Sequence, residues 1–184
     1  MTCIVGYIDK NYIYMGADSL GSNSHSKFIR EDDKIFKKDN MIIGFTSSYR
    51  MGQLLRWKLK IPKHPPKMNT EEYMCTLFID AVIKCFNNNK YISIDNSKVS
   101  GGTFLVGYRD KIITIHSDFQ VAIHSKNFDS CGSGDEVAMG SMESLLKYDK
   151  KIEPERLLLI ALETAESQCT GVQRPFKIIK MKRV

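Results

Sequence analysis

Thr2 stands at the head of an apolar run, Cys3-Ile4-Val5-Gly6-Tyr7-Ile8, with Met1 in front of it. Removal of Met1 would leave a hydroxyl and a free α-amine on one residue. An α-amine titrates near pH ~7.7–8.0, so at neutral pH part of it is uncharged and can accept the hydroxyl proton. That is nucleophilic catalysis in which nucleophile and base share a residue. Cys3, a thiol one position on, is the next candidate nucleophile. A threonine before a strand also has a purely structural use, so the reading depends on which other groups reach it.

Two charged residues are placed to do so. Asp18 ends a second apolar run in Gly16-Ala17-Asp18-Ser19, and Lys34 opens a third in Asp33-Lys34-Ile35-Phe36. A buried lysine beside Thr2 would stabilise the developing alkoxide, and a carboxylate would keep that lysine charged and oriented. Taken singly, Asp18 could cap a turn and Lys34 could be one of 27 basic residues on the surface. Gly132-Ser133-Gly134-Asp135 reads as a tight turn between strand and helix, with Asp135 as N-cap. Ser167-Gln168-Cys169-Thr170-Gly171 reads as a helix end with Gly171 as C-cap. His25, His64, His116 and His124 show no metal-ligand spacing, and the chain has no Gly-x-Ser-x-Gly elbow.

The elements that must position these residues follow from periodicity. Thr2–Ile8 and Tyr12–Ala17 form a hairpin around Asp9-Lys10-Asn11. Ser19 to Ser26 is a polar loop. Strands Lys34–Lys37 and Met41–Thr46 turn at Lys38-Asp39-Asn40. A helix with Met51, Leu54, Leu55 and Leu59 on one face follows, then a connector holding Pro62, Pro65 and Pro66. A long helix starts near Asn69 or Thr70, with Glu72 as capping partner and a stripe of Met74, Leu77, Phe78, Ala81 and Cys85; Asn87-Asn88-Asn89 ends it. Strands Thr103–Tyr108, Lys111–His116, Gln120–Ile123 and Phe128–Cys131 come next. Helices over Asp135–Tyr148 and from Pro154 to before Gly171 precede a closing strand, Phe176–Lys182. Strands, two helices, strands, two helices, strand: two antiparallel sheets, each covered by a helix pair, would bury all these faces in four layers.

The 184 residues make one domain, and 42% hydrophobic content is that of a folded protein. No run approaches the ~20 apolar residues of a membrane helix and no basic-then-apolar leader is seen, so the expected location is the cytoplasm. Five scattered cysteines argue against zinc clusters and a disulfide framework. The net charge of +6 raises nucleic-acid binding, carried by Lys58, Lys60, Lys63 and Lys67 and by Lys177, Lys180, Lys182 and Arg183. Neither cluster is interleaved with aromatics as a stacking platform would be, so a solvated basic surface is the preferred reading.

In residue types and intervals together the chain resembles the proteasome β-type subunits, and most of all the bacterial HslV peptidase, which works beneath an AAA+ unfoldase. Both are N-terminal-nucleophile hydrolases. The resemblance runs from Thr2 to about Met181. It includes Gly16-Ala17-Asp18-Ser19, Lys34, Ile43-Gly44-Phe45, Gly132-Ser133-Gly134, and Ala161-Leu162-Glu163 leading to Cys169. It implies an α+β fold, the four-layer αββα sandwich, and a threonine-type peptidase acting on peptides or unfolded protein in a homo-oligomeric ring. Thr2 would be nucleophile and base, Lys34 the activating amine, Asp18 its partner, and Ser133 an auxiliary hydroxyl relaying protons through water.

The chain departs from the family's pattern in two places. Ser47 replaces the glycine whose N–H serves the oxyanion hole. Ser167 stands where many proteasome subunits carry a carboxylate, with Thr170 in place of their serine. No catalytic cofactor is implied. A structural sodium would fall on the backbone carbonyls of Glu166, Cys169 and Val172. The alternative, motivated by Met1 and Ser167, is a catalytically silent ring subunit serving as scaffold or regulator.

Overall fold

The computed structural model describes residues 2–23, 25–95 and 98–183; the expected removal of Met1 lies outside them. Strands β1 (Cys3–Ile8) and β2 (Tyr12–Ala17) form the first hairpin. Asp9 Oδ1 closes its turn by accepting the N–H groups of Asn11 at 2.7 Å and Tyr12 at 2.6 Å, an Asx turn of the kind aspartate favours. With β12 (Phe128–Gly132) and β13 (Lys177–Lys182) they make a four-stranded sheet, β12-β1-β2-β13.

The second sheet has the order β11-β10-β9-β6-β5. Its members are β5 (Ile35–Lys38), β6 (Met41–Phe45), β9 (Phe104–Tyr108), β10 (Lys111–Ile115) and β11 (Val121–Ile123). Every strand pair in both sheets is antiparallel.

The sheets share one apolar core, in which Ile4, Ile13 and Met15 meet Ile35, Ile42, Leu105 and Ile112. Glycines let them approach closely. A Cβ at Gly44 would lie 2.5 Å from Ile4 Cγ2, and one at Gly107 2.5 Å from Ile13 Cγ2. Helices α1 (Tyr49–Trp57), α2 (Thr70–Tyr73) and α3 (Ile79–Asn88) cover the five-stranded sheet through a second core. Helices α4 (Asp135–Tyr148) and α5 (Pro154–Gln168) cover the four-stranded sheet through a third.

Several local expectations change. The polar stretch after Ser19 is a hairpin of β3 (Leu20–Ser22) and β4 (Lys27–Ile29), with Leu20 buried and Ser24 outside the described residues. A second short hairpin, β7 (Ser93–Asp95) with β8 (Lys98–Ser100), was not expected. The long helix starts as read, with Asn69 Oδ1 accepting the Glu72 N–H at 2.8 Å. Between α2 and α3, however, Met74–Phe78 is π-helical. Met74, Phe78 and Cys85 of the expected stripe are buried, joined by Tyr73, Ile79, Val82 and Phe86, whereas Leu77 and Ala81 are half-buried at its edge.

Gly134, not Asp135, is the N-cap of α4. The C-cap of α5 is Cys169, and Gly171 is not among the residues of positive φ. The C-terminal basic cluster is partly neutralised, Lys180 by Glu155 at 2.9 Å and Lys177 by Asp33 at 3.9 Å. His64 has a structural post: its Nε2 faces the Met68 carbonyl at 2.7 Å and its Nδ1 the Tyr108 hydroxyl at 2.9 Å, pinning the proline-rich connector.

Candidate active site

The register of β1 assembles the site. Cys3 lies opposite Gly132 and Ile4 opposite Ala17. The residue before β1, the residue after β2 and the residue after β12 therefore converge at one corner: Thr2, Asp18 and Ser133. Asp18 is locked there, its N–H donating to the Cys3 carbonyl at 3.3 Å while its Oδ1 accepts the Cys3 N–H at 3.0 Å.

Lys34 arrives from the other sheet. It immediately precedes β5, and its carbonyl accepts the Phe45 N–H at 3.0 Å. Its ammonium donates to Asp18 Oδ1 at 2.9 Å and Oδ2 at 3.0 Å, and both side chains are excluded from water. Asp18 Oδ2 also accepts the Leu20 N–H at 2.9 Å. The pair is thus charge-compensated and hydrogen-bonded on several sides, the condition a buried ion pair needs. Burial pushes the Lys34 pKa below the ordinary lysine value, and the attraction of Asp18 opposes that shift. Lys34 and Thr2 line one small cavity of about 70 Å³, with Leu20, Phe45, Ser47 and Tyr49 among its walls.

Ser133 meets Thr2 directly. Its Oγ accepts the Thr2 N–H at 3.1 Å and donates to the Thr2 carbonyl at 3.3 Å. The Gly134 N–H reaches the same carbonyl at 3.3 Å. Gly132 is obligatory at this turn: its φ is +112°, and a Cβ there would lie 2.2 Å from the Thr2 oxygen.

Ser47 follows β6 with φ 61°, a left-handed conformation that favours glycine. Its Oγ offsets the strain by bonding Thr46 Oγ1 at 3.1 Å and the Thr103 N–H at 3.2 Å. No acceptor among the described residues takes the Ser47 N–H, and Ser47 lines the Thr2 cavity.

The remaining candidates lie elsewhere. Cys3 is fully buried, and burial raises its thiol pKa to about 12, so it is no alternative nucleophile. The Ser167 hydroxyl donates to the Thr164 carbonyl at 2.8 Å. Ser167 and Thr170 line a separate surface depression of about 430 Å³ together with Lys27, Glu166 and Cys169. Backbone carbonyls suit a hard monovalent ion such as sodium. Of the three expected, that of Cys169 accepts the Val172 N–H at 3.2 Å.

Sequence reasoning missed Tyr49, and of Cys169 it named only the backbone carbonyl, not the thiol. Tyr49 closes the cavity beneath the Arg30 guanidinium, which sits 3.7 Å from its ring; one aromatic at a helix start gives no signal of this. Cys169 donates its thiol hydrogen to the Ser133 carbonyl at 3.3 Å.

No family model and no curated protein sequence matches this chain. Solved structures do. The BPH protein of Thiobacillus denitrificans, in a complex with epoxomicin, superposes with a TM-score of 0.79 at 16% identity, over 99% of both chains. HslV of Trypanosoma brucei gives 0.69 at 14% identity, over 98% of this chain and 99% of the other. A Gly-1 mutant of Anbu from Hyphomicrobium sp. strain MC1 gives 0.68 at 10% identity, over 99% and 82%. The chain shares the HslV-like fold of these proteins.

Proposed function

We propose that this chain is a threonine-type peptidase in which Thr2, freed of Met1, is both nucleophile and base. The observation that carries the reading is Lys34: an ammonium buried beside Thr2 and clamped by Asp18 at 2.9 Å and 3.0 Å. A structural role alone would be filled more cheaply by an apolar residue. In the reaction, the Thr2 hydroxyl attacks a peptide carbonyl and passes its proton to the α-amine, directly or through water held by Ser133. Lys34 stabilises the alkoxide, and the Ser47 N–H receives the oxyanion. The tetrahedral species collapses, the departing amine takes the proton, and water cleaves the resulting ester.

Three cores, one between the sheets and one under each helix group, support reading the architecture as the αββα sandwich. Phe28, Ile29, Trp57 and Tyr148 are large and exposed in the single chain, which supports a homo-oligomeric ring that covers some of them. An AAA+ unfoldase, unfolded-protein substrates and a sodium ion on the Glu166–Val172 loop belong to the same reading. No described helix is long and apolar enough to cross a membrane.

The decisive experiment combines intact mass with turnover of a fluorogenic peptide. The expected species lacks Met1, adds the mass of epoxomicin, and loses both turnover and adduct in Thr2→Ala while its light-scattering mass stays that of the ring. A chain that keeps Met1 and shows neither reaction is the silent scaffold, the second reading.

A further inference from the structure

Cys169 sits 36 residues along the chain from Ser133, yet the two are joined, its thiol donating to the Ser133 carbonyl at 3.3 Å. A carbonyl only accepts, so the sulfur must carry the proton. Cys169 is itself firmly held. It caps α5, with its N–H on the Ala165 carbonyl at 2.8 Å, and its own carbonyl accepts the Val172 N–H at 3.2 Å. Gly132 is in a conformation open to glycine, with φ +112°, and Ser133 is exposed. Gly134 rests on the same structure, since a Cβ there would meet Val172 at 2.8 Å, and Ala165 and Cys3 at 3.1 Å each. The opposite side of the turn holds Thr2 through the Ser133 hydroxyl and the Gly134 N–H.

We propose that Cys169 is a positioning residue: from the end of α5 its thiol fixes the 132–134 turn, and so fixes the Ser133 hydroxyl against Thr2. The inference rests on the threonine-peptidase reading for its kinetic consequence, but not for its geometry. Cys169 touches no reacting atom. Loss of its bond lets the turn rotate about Gly132, and Ser133 then holds the water beside the Thr2 amine for a smaller fraction of the time. The step affected is proton transfer, so kcat falls and KM does not.

The test compares Cys169→Ala with Cys169→Ser in the full-length assembly. Cys169→Ala is expected to lower kcat roughly two- to tenfold, the range spanned by one modest hydrogen bond, at unchanged KM. Cys169→Ser keeps a donor and recovers most of the loss. Amide hydrogen exchange supplies a reading independent of activity: the Gly134 N–H exchanges faster in Cys169→Ala and returns toward the wild-type rate in Cys169→Ser. Equal defects in both variants would mean that the sulfur only fills space, and the proposal falls. Wild-type kcat and exchange in Cys169→Ala overturn it equally. If the wild type shows no Thr2-dependent turnover, the peptidase reading fails, and the exchange rates alone decide the positioning role.

Discussion

Replacing Lys34 by methionine keeps the length of the side chain and removes its charge. Asp18 would then be buried without its counter-ion. Breaking a buried pair by removing one partner costs about 3–5 kcal/mol. Here the lower end applies, because Asp18 keeps the N–H groups of Cys3 at 3.0 Å and Leu20 at 2.9 Å. A loss of about 3 kcal/mol in a chain of this length lowers Tm by about 6–12 °C, measured at fixed protein concentration so that assembly does not contribute. The same variant removes the positive charge facing the Thr2 alkoxide, and kcat should fall about 10²–10³-fold, as for the loss of one electrostatic stabiliser of a transition state. Asp18→Ala should be worse for stability, since it strands a buried ammonium together with the N–H groups of Cys3, Leu20 and Gln173.

The pH dependence separates the two effects. The Lys34 pKa is lowered by burial, against the pull of Asp18, so the folded protein releases this proton below the ordinary value of 10.5. Between the lowered value and 10.5 the unfolded chain binds more protons, so this group's contribution to stability rises with pH across that window. Activity moves the opposite way, because the charge beside Thr2 is disappearing. Its alkaline limb should therefore lie below 10.5 and be absent in Lys34→Met. A Lys34→Met protein that melts within about 2 °C of wild type, under 1 kcal/mol at this length, and turns over at the wild-type rate would refute the reasoning.

The other expectations are brief. Ser47→Gly relieves left-handed strain of about 1–3 kcal/mol but loses the Oγ bond to the Thr103 N–H, about 1 kcal/mol, and gains chain entropy in the unfolded state. Its denaturant midpoint should stay close to wild type, and turnover should persist because the N–H remains. Gly132→Ala forces a Cβ to within 2.2 Å of the Thr2 carbonyl oxygen at φ +112°, so chemical denaturation should show a loss of about 3 kcal/mol or more, strain and overpacking together. Tyr49 is one wall of the small cavity beside Thr2, of about 70 Å³, so shortening it enlarges the space open to an acyl side chain. Tyr49→Ala should raise kcat/KM for leucine over alanine substrates by about tenfold, within the range that one or two methylenes command.

The elements were legible because their faces are apolar at clear periods, and the errors show where that signal ends. β3 and β4 have three residues each, too few to establish alternation, so a Ser- and Asn-rich stretch concealed a hairpin. The π-turn at Met74–Phe78 leaves Leu77 and Ala81 at the edge of the buried face instead of its centre, which periodicity at 3.6 cannot register. Thr2, Asp18 and Lys34 could be named from residue type and interval, and Ser133 from the resemblance, but what joins them is strand pairing across the whole chain. The β1–β12 register that brings Ser133 to Thr2 spans 131 residues, and no local pattern encodes it.

The positions read incompletely are those whose meaning is a dihedral angle or a single distance. Ser47 reads as an ordinary loop serine beyond β6 until its φ of 61° shows a left-handed turn there. Cys169 reads as an ordinary helix end until its sulfur is found on the Ser133 carbonyl. The groups that would react were thus visible as chemistry, whereas the groups that hold them became visible only as geometry. Variants at Ser47, Gly132 and Cys169 therefore probe information that the sequence pattern alone did not carry.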